Sequence, residues 1–414
     1  MINEYIGTAK DNMGSAVHNW YKFTAGFSYK FVKFLIEDMP VKPECIYEPF
    51  AGCGTTLVEA QKHGVCSIGN ESQQLMCDVI NAKLNWGIKT DVSEKILSTI
   101  KSYITDKTNI SQSEYHPLLE TLYDPETLET IYLIRDAIRK IESRDYQLFF
   151  NLALSQVLHK AALCPIAVPY ISRSKHLANP GHAWERFVEI VDSMLDDLEQ
   201  LQTHNRLATV FKADSRKMNQ NIPEGSCDLC VTSPPYLNNL DYGEVSKVHT
   251  HFFGLTNDWH DITEKVRRQL VTGATTHYKD REFNLDDFRH SDFALSNSIL
   301  MNELEKKYFE IEKNAKTRSG KKSFHILMMH YFDDMYQVLK EMRRVLKHDC
   351  KAYLILGDSA PYGVYIPTTQ YLGSIAQSAG FKDFKIYKIR KRGTKWNIKT
   401  RHNIELSENI LELS

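Results

Sequence analysis

The chain has 414 residues, of which 42% are hydrophobic, 25% charged and 11% aromatic, enough to build a large core over two or three domains. No apolar run approaches the ~18 residues of a membrane span, and the opening MINEYIGTAKDNMGS holds no apolar signal core, so the expected location is the cytoplasm, with no membrane partner. A net charge of -1 excludes a globally basic nucleic-acid binder, and eight scattered cysteines argue for free thiols rather than a disulfide scaffold.

In chain order, residues 45 to 62, CIYEPFAGCGTTLVEAQK, predict a strand, a glycine turn and a helix. A second strand, VCSIGNE (65 to 71), and a helical stretch, SQQLMCDVINAKLN, follow. This β-α-β-α order points to a parallel sheet with helices on its faces. From 88 to 204 the pattern is nearly all helix. Asp124-Pro125 suits an N-cap and first turn. Ile131, Ile134, Ile138 and Ile141 share one face, as do Phe187, Val191, Met194, Leu198 and Leu201. Strands resume at LATVFKAD (207 to 214) and CDLCVTS (227 to 233). Cys227 and Cys230 have no second Cys/His pair at zinc spacing, so they read as part of a buried strand and no metal is expected. Residues 257 to 323 are polar, with thirteen Lys/Arg and twelve Asp/Glu, and read as irregular. MYQVLKEMRRVLK predicts an amphipathic helix, KAYLILGDS (351 to 359) a strand, and 383 to 413 a β pair.

The economical organisation is one α/β sheet domain interrupted twice. Residues 1–86, 205–256 and 324–414 build the sheet, 87–204 form a mainly helical insertion, and 257–323 form a second, irregular one. No internal repeat or low-complexity tract is present.

Open parallel sheets bind ligands beyond the carboxyl ends of their strands, and each unusual stretch falls at such an end. After the first strand come Glu48, Pro49, Phe50, Ala51, Gly52, Cys53, Gly54, Thr55 and Thr56. The two glycines permit a tight turn and close approach of a ligand to backbone before a helix N-terminus. The turn is neither the dinucleotide fingerprint nor a phosphate loop, which suits a nucleoside with an uncharged link. The second strand ends in Glu71, where an acid can accept both ribose hydroxyls. The third ends in Asp214, an acceptor placed for an adenine amino group. The fourth ends in Ser233-Pro234-Pro235-Tyr236, where neither proline has an N–H for a ladder and the strand must stop in a rigid turn.

Together these stretches resemble the S-adenosylmethionine-dependent DNA amino-methyltransferases, over the proposed sheet domain. EPFAGCGTT is similar to that family's cofactor loop, with Glu48 where the family most often has Asp. TSPPY is similar to its catalytic motif in the form common among N4-cytosine enzymes. HNWYKFTAGFS (18 to 28) resembles the N-terminal motif that closes over the methionine end of the cofactor, through Phe27 and Ser28. The resemblance implies a Rossmann-like methyltransferase sheet, S-adenosylmethionine as cofactor and double-stranded DNA as partner. A cognate restriction endonuclease is compatible with it; the residues set no oligomeric state.

The turn then has a chemical rationale. An exocyclic amino group is a poor nucleophile because its lone pair is delocalised into the ring. If the Ser233 hydroxyl and the backbone carbonyl after it accept its two N–H bonds, the nitrogen can rehybridise toward the methyl donor. The prolines fix that carbonyl in advance. Tyr236 can stack on a base flipped out of the duplex. No proline precedes a cysteine, so the nucleophile used for methylation of cytosine carbon is absent. Three alternatives stay open: an N4-cytosine DNA enzyme, an N6-adenine or RNA amino-methyltransferase, and a non-catalytic nucleic-acid-binding module on the same fold. Most adenine enzymes of the family carry Asp or Asn at the position of Ser233, yet a hydroxyl and a carboxylate can both accept the bond. The intact Ser-Pro-Pro-Tyr and both acids argue against the non-catalytic module.

Two basic stretches, Lys313 to Lys322 and residues 382 to 401 with nine Lys/Arg against one Asp, are expected to meet phosphates. Bases would be read by an insertion, with 257 to 323 favoured.

Overall fold

The structure is a computed structural model that describes residues 7–23, 26–106, 108, 114–166, 171–201, 206–238, 240–278, 282–317, 322–392 and 405–414. Seven strands, β1 (Cys45–Glu48), β2 (Cys66–Glu71), β3 (Ala208–Lys212), β4 (Cys227–Thr232), β5 (Leu346–Gly357), β6 (Phe384–Arg392) and β7 (Leu406–Leu413), form one sheet in the order β3-β2-β1-β4-β5-β7-β6. Pairings from β3 through β5 are parallel; β7 runs antiparallel to both β5 and β6. The chain is thus an α/β protein with a Rossmann-like, largely parallel sheet. Strand order reverses between β1 and β4, and a crevice opens beyond their carboxyl ends at such a switch point.

The side-chain period of two divides each central strand between the faces. Ile46, Leu229, Val231, Tyr353, Ile355 and Ile410 meet α1 (Tyr29–Asp38) and α2 (Thr55–Lys62). Tyr47, Cys230, Ala352, Leu354, Leu356 and Leu411 face the other way. There they meet α14 (Phe324–Val345) and α15 (Thr368–Ser378). Cys227 and Cys230 lie buried within β4.

Between β2 and β3 the chain forms helices: α3 (Gln74–Leu84), α4 (Thr90–Thr105), α5 (Pro117–Glu120), α6 (Pro125–Arg139), α7 (Arg144–Ala161) and α8 (Ala183–Glu199). Asp124 caps α6 by accepting from the Thr127 N–H, with Pro125 in the first turn. The expected stripes are buried, Ile131, Ile134 and Ile138 on α6 and Phe187, Val191, Met194 and Leu198 on α8. Ile141 and Leu201 lie just past the helix ends and are only half-buried. Among the described residues no helix is long and apolar enough to cross a membrane.

After β4 come α9 (Tyr242–Phe252), α10 (Trp259–Lys265), α11 (Leu285–Phe288), α12 (Asp292–Ser296) and α13 (Ser298–Ala315). The irregularity expected over 257–323 is therefore corrected: α13 is an 18-residue helix. It buries Met301, Leu304, Ile311 and Ala315 on a stripe narrow enough to be masked by the surrounding charge.

Candidate active site

The loop leaving β1 forms the floor of an open cleft whose walls include Glu71, Asp214, Ser233 and Pro235. Gly52 and Gly54 have φ of 53° and 84°, in the left-handed region that an L side chain resists. Space is also tight at both: a Cβ would stand 3.2 Å from the Phe23 ring at Gly52, and 3.2 Å from Ile80 at Gly54. The Ala51 N–H donates to the Asn70 carbonyl at 3.0 Å and the Gly54 N–H to the Ala51 carbonyl at 2.7 Å, which closes the turn before α2.

Two buried carboxyls brace this loop. Glu48, 1% exposed, accepts the Phe50 N–H at 3.0 Å and the Thr56 hydroxyl at 2.7 Å. Glu71 accepts the Gly52 N–H at 2.9 Å and the Gln73 N–H at 2.8 Å. Burial disfavours the charged form of each. It outweighs these donors and pushes Glu71 up to about 7 and Glu48 up to about 8. Beside them Gln73 is buried, and its Oε1 has no hydrogen-bond partner.

At the end of β4, Ser233 donates its hydroxyl proton to the Ile355 carbonyl on β5 at 3.1 Å. The oxygen's lone pairs are left as acceptors. Pro234 and Pro235 are buried, and Ser359 donates to the Leu237 carbonyl just beyond them. Tyr236 is half-buried, and its hydroxyl donates to Glu408 on β7 at 2.9 Å.

The far wall comes from the chain after α10, through Gln269, Leu270 and Val271. It is fastened by Arg216, whose guanidinium grips Asp214 with two bonds of 2.8 Å. Arg216 also reaches Asp334 at 3.2 Å and donates to the Arg268 carbonyl at 2.7 Å. Asp334 in turn accepts the Thr272 N–H at 2.8 Å and hydroxyl at 2.7 Å. Bidentate charge-assisted pairing of this kind is strong and directional. Asp214 is therefore not a free acceptor: its Oδ1 takes both the Arg216 Nε and, at 3.1 Å, the Arg216 backbone N–H, and its Oδ2 takes the Arg216 Nη2 and keeps one further lone pair.

Of the residues selected from sequence, the cleft gathers Phe27, Pro49, Phe50, Ala51, Gly52, Thr55, Glu71, Asp214, Ser233 and Pro235. Ser28, Glu48, Gly54, Thr56, Pro234 and Tyr236 are not on its lining. Ser28 caps α1 and donates to Asp11 at 2.9 Å; Glu48 and Thr56 are bonded to each other; Tyr236 is tied to Glu408. The cleft also takes in Phe23, Gly26, Asn70, Gln73 and Tyr242, which the sequence did not single out. Phe23 falls within the 18 to 28 stretch, and it stacks near Tyr242 with centroids 6.5 Å apart. No local signal marks Tyr242 or 269–271.

The basic stretches are partly compensated. Lys388 and Lys391 pair with Glu405 at 3.1 and 2.7 Å, Arg390 pairs with Glu408 and Lys382 with Asp349. Arg318, Lys321, Lys395, Lys399 and Arg401 lie outside the described residues.

No protein-family model matches the chain. It is similar to the Type II methyltransferase M.BsoBI of Geobacillus stearothermophilus, 23% identical over 94% of this chain and 84% of that protein. It is likewise similar to the Type II methyltransferase M.MvaI of Kocuria varians, 20% identical over 94% of this chain and 86% of that one. A third relative, the Type II methyltransferase M.AvaI of Nostoc sp., is 23% identical over 93% and 83%.

Proposed function

We propose that this chain is a site-specific, S-adenosylmethionine-dependent DNA methyltransferase that methylates the exocyclic N4 amino group of cytosine. The observation that carries the proposal is the meeting of two loops at the β1/β4 reversal. The glycine turn, braced by its buried acids, forms the floor of a cleft, and Ser233 and Pro235 form its edge. Three Type II methyltransferases aligned over almost the whole chain support the coarser part, DNA methylation.

The residues present fit the cofactor: the Glu71 carboxylate for ribose hydroxyls, the unpartnered Gln73 Oε1 and the remaining lone pair of Asp214 Oδ2 for N–H donors, and Phe23 and Phe27 for apolar contact. When bound, S-adenosylmethionine supplies an electrophilic sulfonium methyl. Ser233, its own proton committed to Ile355, accepts one N–H of the target amine, and the carbonyl after it accepts the other. The lone pair is thereby turned toward the donor. The prolines hold these acceptors where the transition state needs them, without reorganisation. A base inside a duplex cannot reach this turn, so it must be flipped out, with Tyr236 as its stacking platform. The Lys/Arg of 313–322 and 385–401 contact phosphates, and residues 257–323 contribute to reading the site.

Mass spectrometry of nucleosides from DNA treated with the purified protein tests this reading. N4-methylcytosine is the expected product. N6-methyladenine would assign the adenine chemistry instead, and modification of RNA alone would remove the DNA substrate.

A further inference from the structure

Three anchors hold the turn after β4, and they act on different parts of it. Ser233 to the Ile355 carbonyl and Ser359 to the Leu237 carbonyl fix where the backbone runs. The third acts on a side chain: the Tyr236 hydroxyl, at the far end of the ring, donates to Glu408 Oε1 at 2.9 Å. Glu408 is itself held. Its second oxygen receives Arg390 Nε, and its side chain is 14% exposed. In the sheet, β7 sets Glu408 opposite Gly357 of β5 and Arg390 of β6. This is the carboxyl edge of β5, the edge at which the turn stands. The two antiparallel strands thus deliver a charge-balanced carboxylate to the tip of a ring 172 residues away.

We propose that Glu408, backed by Arg390, is a positioning residue for methyl transfer: it fixes the plane of the Tyr236 ring against which the extruded base stacks. The proposal rests on the function set out above. A phenol anchored only at its Cβ turns about two side-chain torsions, and a base stacking on it must first arrest them. A ring tethered at both ends meets the base already oriented, so less conformational entropy is lost on stacking. The tether is a hydrogen bond to an ionised acceptor in a largely enclosed place, stronger than a neutral surface bond. Glu408 touches neither the cleft nor the reacting atoms, and its influence on the chemistry passes through Tyr236.

The test uses the full chain, unmodified plasmid DNA and a radiolabelled methyl donor, under single-turnover conditions. Tyr236→Phe removes the tether and keeps the ring; Glu408→Ala removes it from the other side. Each should slow transfer roughly tenfold, the scale of one hydrogen bond to a charged group, while donor affinity stays within about twofold. The double variant should be no slower than either single one, because both changes remove one interaction. Glu408→Gln, whose single amide oxygen can accept from the tyrosine but is uncharged and gives up Arg390, should recover part of the loss. Tyr236→Phe leaves β7 untouched and carries the test if Glu408→Ala does not fold. Wild-type rates in Tyr236→Phe, or a Glu408→Ala loss that recurs in full on the Tyr236→Phe background, would overturn the proposal while leaving the methyltransferase reading intact. A wild-type protein that methylates no DNA overturns both.

Discussion

Glu48→Gln isolates the energetic consequence of burying a carboxyl beneath the cofactor loop. Glu48 is 1% exposed and its carboxyl is pushed up to about 8, chiefly by burial. At pH 7 the unfolded chain carries this group ionised and the folded chain carries it protonated. Folding must then take up a proton, a cost of about 3 kcal/mol. The sign follows from the direction of the shift: the folded form is favoured below the unfolded value near 4.5, and that advantage is lost as pH rises to about 8. Between those limits the cost grows by about 1.4 kcal/mol per pH unit. Glutamine keeps the shape, accepts from the Phe50 N–H through its amide oxygen and can donate its amide N–H to the Thr56 hydroxyl, whose own proton can turn to the Val231 carbonyl, but it does not titrate. The stability of Glu48→Gln relative to wild type should therefore rise by about 2 kcal/mol from pH 6 to pH 8. For one cooperative unit of this length that is about 2 °C in the difference between the two Tm values. Scanning calorimetry at three pH values reads it. The buried histidines His18 and His159, both pushed down to about 4 by burial, titrate in both proteins and cancel. A Tm difference that stays constant from pH 6 to pH 8 would refute the placement of this titration on Glu48.

Cofactor binding at pH 7 should release protons, because the Glu71 carboxyl on the cleft lining is pushed up to about 7 in the free protein and a donor-bearing ligand favours its ionised form. Calorimetry in two buffers of different ionisation enthalpy measures the release, and identical heats would count against it. Glu71→Ala and Asp214→Ala should each weaken donor binding by about 1–3 kcal/mol; unchanged affinity in both removes the cofactor assignment. Ser233→Ala should slow transfer more than it weakens donor binding, as rapid-quench rates set beside equilibrium titrations will tell. Replacing several lysines of 313–322 and 385–391 should lower DNA affinity for every sequence and flatten its salt dependence. An unchanged salt slope would leave them as solvated faces, a result the Glu405 and Glu408 pairings make worth the measurement.

Some of this protein was legible in its sequence because the physics is local. The glycines before α2, the prolines after β4 and Asp124 ahead of α6 act within a few residues of themselves. The apolar stripes of α6 and α8 need only the helix period to be seen. The acids that end β2 and follow β3 were visible because a strand end is a local event. Tertiary structure decided what those pieces meet. Nothing near Ile46 names Leu229 as its neighbour in the sheet, yet that pairing sets the cofactor loop beside Ser233. The grip of Arg216 on Asp214 and Asp334, the wall from Gln269 to Val271 and the bond from Tyr236 to Glu408 all join residues far apart in the chain. Helix α13 escaped notice because its core stripe is narrow and its remaining faces are charged. Strand order, register and the partner of a buried charge depend on which surfaces exclude water together, and that is settled by packing across the whole molecule rather than by any one segment's pattern.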